Sequence, residues 1–323
     1  MSLALFLSGY AISQTTPKLA PEAKVIPVSN VREFLEAIGP DRTIQMKAGT
    51  YRLELTDAGD RKFLEWEKAF DGYQLKLRNL SNLTILGVDK EPAKLLIKPS
   101  YAYVLTLSKC QNIRLANLTL GHSPEPGACT GGGVRLDNCK TIVLNKLDLF
   151  GCGTDGLNLT DVEALTLTDS TIHDCTVGAV WASGCTKLRF TNSNFFDNKG
   201  FDTFFAFLNS ADVYLDKCLI RSNSNEPVVM ASSLFQVGPR SVVLLKDCRI
   251  EKNHSGVIFD VEPAGSLAVT GGSISANEAL SLAYKPDPKD PNKPVLTLKD
   301  VDIKDNKFRR GTYSERDEIE HGE

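Results

Sequence analysis

The sequence predicts an all-β solenoid, a parallel β-helix whose N-terminal end is capped by a helix. Three observations predict it. A phrase of alternating apolar and polar residues recurs along most of the chain, its copies stand at unequal intervals above a constant floor, and small or amide side chains fall in fixed columns relative to it.

Aligned on its first apolar residue, the phrase lies at Leu83, Ile113, Ile142, Leu165, Leu188, Val213, Val243, Leu267 and Leu296, at intervals of 30, 29, 23, 23, 25, 30, 24 and 29 residues. Strands of fixed length joined by loops of unequal length give this pattern. Leucine-rich repeats have similar periods, but they need L-x-x-L-x-L and a helical or extended convex side. Here β-branched and turn residues stand in those places.

Ten residues after the anchors from Ile113 onward stand Ser123, Cys152, Cys175, Asn198, Asn223, Asn253, Asn277 and Asn306. A buried, unpaired amide costs about 1–3 kcal/mol. Five Asn on successive rungs avoid that cost by bonding to one another and to the turn backbone. The cysteines keep to columns as well. Cys110, Cys139 and Cys185 precede their anchors by three, whereas Cys218 and Cys248 follow by five. Rungs about 4.8 Å apart are close enough for a disulfide, yet side chains in register point the same way, so the thiols are read as small free hydrophobes. No CxxC pair marks a zinc site.

Taken in order, the chain opens on an apolar run from Leu3 to Ile12, with Ala11 and Ser13 spaced for a signal peptidase. Residues 1–13 are read as a signal peptide without its basic n-region, and the alternative is a frayed apolar tail. Residues 14–27 form a linker, 28–308 the solenoid and 309–323 a flexible tail. No other apolar segment reaches the roughly 20 residues that span a bilayer. The expected location is secreted, periplasmic or at the cell surface. A net charge of −3 with no Lys/Arg cluster excludes a nucleic-acid or anionic-membrane face. "SNVREFLEAIG" supplies Ser29 or Asn30 as N-cap, an apolar stripe and Gly39 as a stop, and residues 57–74 read as an insertion with a short helix.

The cap helix, the strand "TIQMKAGTYRL" after it and the repeats resemble pectin-lyase-like right-handed β-helix proteins over most of the chain. The resemblance implies a right-handed coil that binds or cleaves acidic polysaccharide along an outward face. Lyases of this kind hold Ca²⁺ with carboxylates and abstract a proton with Arg or Lys, and the hydrolases use paired carboxylates. "GCGTDGLNL", residues 151–159, is similar to the "NTDG" signature of polygalacturonase-type hydrolases. It departs in lacking an Asp-Asp pair one rung later, and Gly121–His122 stand in the wrong order for that family's "GH".

Nine residues after their anchors stand His122, Gly151, Asp174 and Asp197, beside the stretch "GHSPEPGACTGG" at 121–132. Stacked carboxylates repel unless a cation bridges them. Asp155, Asp174 and Asp197 are therefore a candidate Ca²⁺ site, and a solvated polar corner is the alternative. The catalytic candidates are Asp155, Asp174, His122 and, as base, Arg135, which directly follows that stretch. Glu125, Asp197, Asn158 and Arg114 are candidates for binding substrate. Asp155–Gly156 also suits a tight turn. His122 with Cys129 reads as structural, and His173 and His254 as turn residues. "GFDTFFAFLNS" crowds four Phe into seven positions, more than alternation can bury, so some must meet a sugar, an oligomer contact or a neighbouring loop. An enzyme would be a polysaccharide lyase or glycoside hydrolase. The alternative is a non-catalytic cell-surface structural or adhesion module binding through the Phe-rich rung. Neither the sugar nor the oligomeric state is written in the sequence.

Overall fold

The computed structural model describes residues 24–53, 59–123, 131–151, 153–200, 203–225, 232–286 and 292–315. The expected signal peptide, Glu125, Cys129, Cys152, Phe201 and the last eight residues lie outside them. Among the described residues, no helix is long and apolar enough to cross a membrane.

Each turn of the coil lays a strand on each of three faces. Asp155–Thr160 lies on the first, Glu163–Thr168 on the second and Thr171–His173 on the third, and the next rung repeats the series. Successive rungs pair in parallel. The nine anchors are direct register partners along the second face, from Leu83 opposite Ile113 to Leu267 opposite Leu296. The register extends two rungs earlier, with Arg42 opposite Leu83 and Lys24 opposite Arg42. A charged residue at position 42 hides the rung next to Leu83 from the apolar pattern, and its polar head turns aside to donate to the Ala37 and Pro40 carbonyls.

Alternation decides what is buried. Leu165 and Leu167 are in the core, while Thr166 and Thr168 are half-buried on the outside. The corners need left-handed backbone, which Asn and Asp tolerate best among side-chain-bearing residues. Asp169, Asn192 and Asp247 take φ of 51°, 50° and 51° between the second and third faces, and Asp174 and Asp197 take 56° and 53° after the third. Turn conformation thus accounts for much of the Asp column.

The Asn ladder is fully bonded. Asn223 donates from Nδ2 to Asn253 Oδ1 at 2.9 Å and to the Phe195 carbonyl at 3.1 Å, and its backbone N–H donates to the same Asn253 oxygen at 3.1 Å. The arrangement repeats from Asn198 through Asn306. At the N-terminal end, Asn30 caps the helix Val31–Ala37, accepting from the Glu33 N–H, while Glu33 reaches back to the Ser29 N–H. Phe34 and Leu35 of that helix close the core. Lys24–Val28 pairs with Arg42–Met46, so the first strand starts within the stretch expected to be linker.

One expectation is corrected. The insertion carries no helix among its described residues; Leu64–Ala69 and Gly72–Arg78 form an antiparallel hairpin, with Leu64 and Trp66 buried and Glu65 and Glu67 turned outward. Period-two alternation outweighs the helix-forming composition of that stretch. Among the described residues of the Phe-rich rung, Phe204, Phe205 and Phe207 are all fully buried. Phe205 stacks on Phe235 at 4.6 Å, and Phe204 fits where Gly200 has no side chain, since a Cβ there would come 3.2 Å from its ring. Cys110, Cys139, Cys185, Cys218 and Cys248 are buried free thiols, with Cys110 and Cys218 donating to backbone carbonyls at 3.3 and 3.5 Å.

Candidate functional site

The outward positions of the first face form a row with one residue per rung, in which Thr106, Ala206 and Asp260 are buried. Lys76, Thr106, Arg135, Asn158, Trp181, Ala206, Gln236 and Asp260 are successive register partners. Each stands seven residues before a second-face anchor. The first-face strands begin at the corner from which most of the longer loops emerge, so this row runs beside the loop mouths.

Arg135 and Asn158 are direct neighbours across two rungs. Asp155 opens the strand that carries Asn158, is only 8% exposed, and accepts at Oδ2 from Asn158 Nδ2 at 3.1 Å. Backbone bonds fasten this corner on both sides. The Asp155 carbonyl accepts from Gly133 at 2.9 Å, and the Thr154 carbonyl accepts from Val177 and Gly178, each at 3.2 Å. Gly156 is set by packing and not by a tight turn, because it lies within the strand Asp155–Thr160 and a Cβ there would lie 2.2 Å from Ile172.

Arg135 is half-buried, with its guanidinium 5.8 Å from the centre of the Tyr103 ring. Among the described residues it makes no hydrogen bond or ion pair. The glycine run before it exists for Tyr103 and its neighbour. A Cβ at Gly132 would come 2.1 Å from the Tyr103 ring, and one at Gly131 would come 1.8 Å from the Ala102 carbonyl oxygen. The hairpin holds the other side. Gln74 accepts from the Tyr103 N–H at 2.7 Å and donates to Glu67 at 2.5 Å, and Lys76 donates to Glu67 at 3.1 Å. Burial works to raise the Glu67 carboxyl. The bonds from Lys76 and Gln74, with the charges of Lys76 and Arg135, outweigh it and hold the group below the usual carboxylate range.

The other expected residues are placed elsewhere. His122 is 2% exposed and its Nε2 lies 2.8 Å from the Ala102 carbonyl oxygen, which fastens the end of the strand Gln111–His122 to the turn before the first-face strand Leu105–Ser108. Asp174 sits beyond the third face with Oδ2 2.7 Å from His173 Nδ1, and His173 Nε2 lies 3.1 Å from Asp148. The His173 ring is stacked between Phe150 at 5.9 Å and Phe196 at 5.0 Å. Arg114 is on the second face, in register with Thr84 and Val143. The candidate Ca²⁺ group is corrected: among the described residues no three His, Cys, Asp or Glu side chains gather to hold a metal, Asp155, Asp174 and Asp197 included. Asp155 is turned to Asn158 on one face, while Asp174 is turned to His173 on another.

Tyr103, Glu67, Lys76 and Trp181 were missed by sequence reasoning. Counting seven residues back from the anchors would have found Lys76 and Trp181; nothing local points to Tyr103 or Glu67.

A family model described as right handed beta helix region matches residues 105–206 and 132–285, together more than half of the chain. No curated protein matches in sequence. Among solved structures, an alginate lyase from Paenibacillus sp. str. FPU-7 is similar with a TM-score of 0.53 and 11% identity, over 91% of this chain and 98% of that one. A pectate lyase, Pel9A, is similar with a TM-score of 0.51 and 12% identity, over 89% and 79%. At such identities the likeness is one of fold.

Proposed function

We propose that this chain, which belongs to the right-handed β-helix family, binds an acidic polysaccharide along the outer surface of its first face and cleaves it there. The observation that carries the reading is Arg135: a half-buried guanidinium stacked on Tyr103, without a hydrogen-bonding partner among the described residues, beside the Asp155–Asn158 pair. A planar fork of donors held in this way suits a sugar carboxylate. The printed names of the similar structures, an alginate lyase and a pectate lyase, favour the same class of polymer.

The residues suit β-elimination better than hydrolysis. In elimination a base removes the proton α to the uronate carboxylate, a C=C bond forms, and the neighbouring glycosidic oxygen leaves with a proton. Arg135 is assigned to stabilise the charge that builds on the carboxylate, not to act as base, because a guanidinium does not give up its proton in proteins. Asp155 is assigned to proton transfer. Hydrolysis would need a second carboxyl group facing Asp155 across the bond, and the row offers none beside it. Resident Ca²⁺ does not fit the described side chains, so no step is routed through it. The reading includes export through residues 1–13. The burial of Phe204, Phe205 and Phe207 favours this reading over a non-catalytic module that binds through them.

The purified chain, incubated with alginate, polygalacturonate and a neutral glucan, tests this by absorbance of unsaturated uronate and by new reducing ends. Unsaturated product from an acidic polymer, abolished in Asp155→Asn, is expected. Folded protein that neither binds nor cleaves any of the three would overturn it.

A further inference from the structure

We propose, resting on the polysaccharide reading above, that Trp181 is a stacking platform for a sugar ring and that the polymer therefore lies along the axis of the coil. Trp181 is on the strand Gly178–Ser183, in register with Asn158 on one side and Ala206 on the other. It is half-buried on an outward position of the first face. Among the described residues its indole N–H has no hydrogen-bond partner, and its ring has no aromatic or cationic neighbour. Several other outward aromatic rings are engaged. Phe150 and Phe196 sandwich His173, Tyr103 lies under Arg135, and Tyr214 lies 5.9 Å from Arg189. An indole in such a place offers a large apolar face and an unused donor, the combination that suits aromatic side chains to interfaces with one apolar and one wet side.

The geometry makes a subsite. Arg135 and Trp181 are two rungs apart, about 9.6 Å at the usual strand spacing, with Asn158 between them and Asp155 bonded to it. Beyond Trp181 the row drops to the methyl group of Ala206, and the next side chain, Gln236, donates to Glu262 at 2.6 Å. A pyranose carries an apolar C–H face and polar edges. A ring placed over Asn158 puts its edge groups against Asp155 and Arg135, and the ring that follows along the axis rests its C–H face on the indole. Dispersion against the indole does not depend on charge, whereas Arg135 selects for a carboxylate. Trp181 thus adds affinity without choosing the sugar.

The chain contains two Trp, and the second, Trp66, is buried, so fluorescence can report on Trp181. Oligouronates from alginate and from polygalacturonate are titrated into the wild type, Trp181→Phe, Trp181→Ala and Arg135→Ala, with affinity measured by calorimetry. The expected result is a ligand-dependent emission change that vanishes in Trp181→Phe, an affinity loss of about tenfold in Trp181→Ala and a smaller one in Trp181→Phe. Unchanged affinity in Trp181→Ala, with Arg135→Ala weakened, would overturn the platform and leave the polysaccharide reading standing. Absence of binding by folded wild type would overturn both.

Discussion

His173 is the residue whose environment is most specific and least explained by a turn. Burial works to lower its pKa, but the bonds and charges of Asp148 and Asp174 outweigh it, and the net direction is upward. The imidazolium is therefore more stable in the folded chain than in the unfolded one. This contribution is complete below the unfolded His value near 6.5 and is lost as pH rises through the higher folded value. Melting temperature followed against pH should fall over that window in the wild type, and the fall should be absent in His173→Gln; parallel curves would contradict the clamp. The sequence places His173 beside the corner column, but two carboxylates from different rungs meet it only once the coil has closed. Arg135 was legible as a candidate from its position after the glycine run. Its cause, the Tyr103 ring beneath it, was not, because the two are brought together by rung stacking and not by spacing along the chain.

At the scale of elements, the corner ladder carries the register. Asn253 Oδ1 accepts from the Asn223 N–H and Nδ2, and its own Nδ2 donates to Asn277 and to the Ile220 carbonyl. Asn253→Ala leaves several buried groups without partners and should cost at least about 3 kcal/mol in denaturant unfolding, at 1–3 kcal/mol for each group. Asn306→Ala, at the half-buried last rung, should cost about 1 kcal/mol. Equal costs would argue against a ladder that works through burial. This element was readable from sequence because its period is tied to the anchors. The hairpin at Leu64–Arg78 was not, since "FLEWEKAF" is rich in helix formers and only pairing against the first face selects extended chain. Consecutive Phe204 and Phe205 defeat the alternation rule at a corner, where backbone turns and glycines admit a second inward side chain.

At the scale of the whole molecule, the two ends differ. The N-terminal end is closed by a helix that buries Phe34 and Leu35 and by an edge strand bearing Pro27, a residue that blocks further pairing. The described C-terminal rung, Val295–Lys299 and Asp302–Lys304, is exposed or half-buried at every position. A solenoid's stability is a sum over neighbouring rungs, so hydrogen exchange should proceed from this end. Amides of 295–308 should exchange first and those of the central rungs last; uniform protection would contradict it. Fold class, anchors, ladder and cap all follow from short-range pattern repeated nine times. The binding row follows from the same period, and it went unread because it lies behind the anchors on another face. The most direct test of the central claim is the affinity of Arg135→Ala for an oligouronate and for its neutral counterpart. Arg135 acting as the carboxylate's partner predicts a loss of tenfold or more confined to the acidic ligand. Wild-type affinity for both ligands in the variant would contradict it.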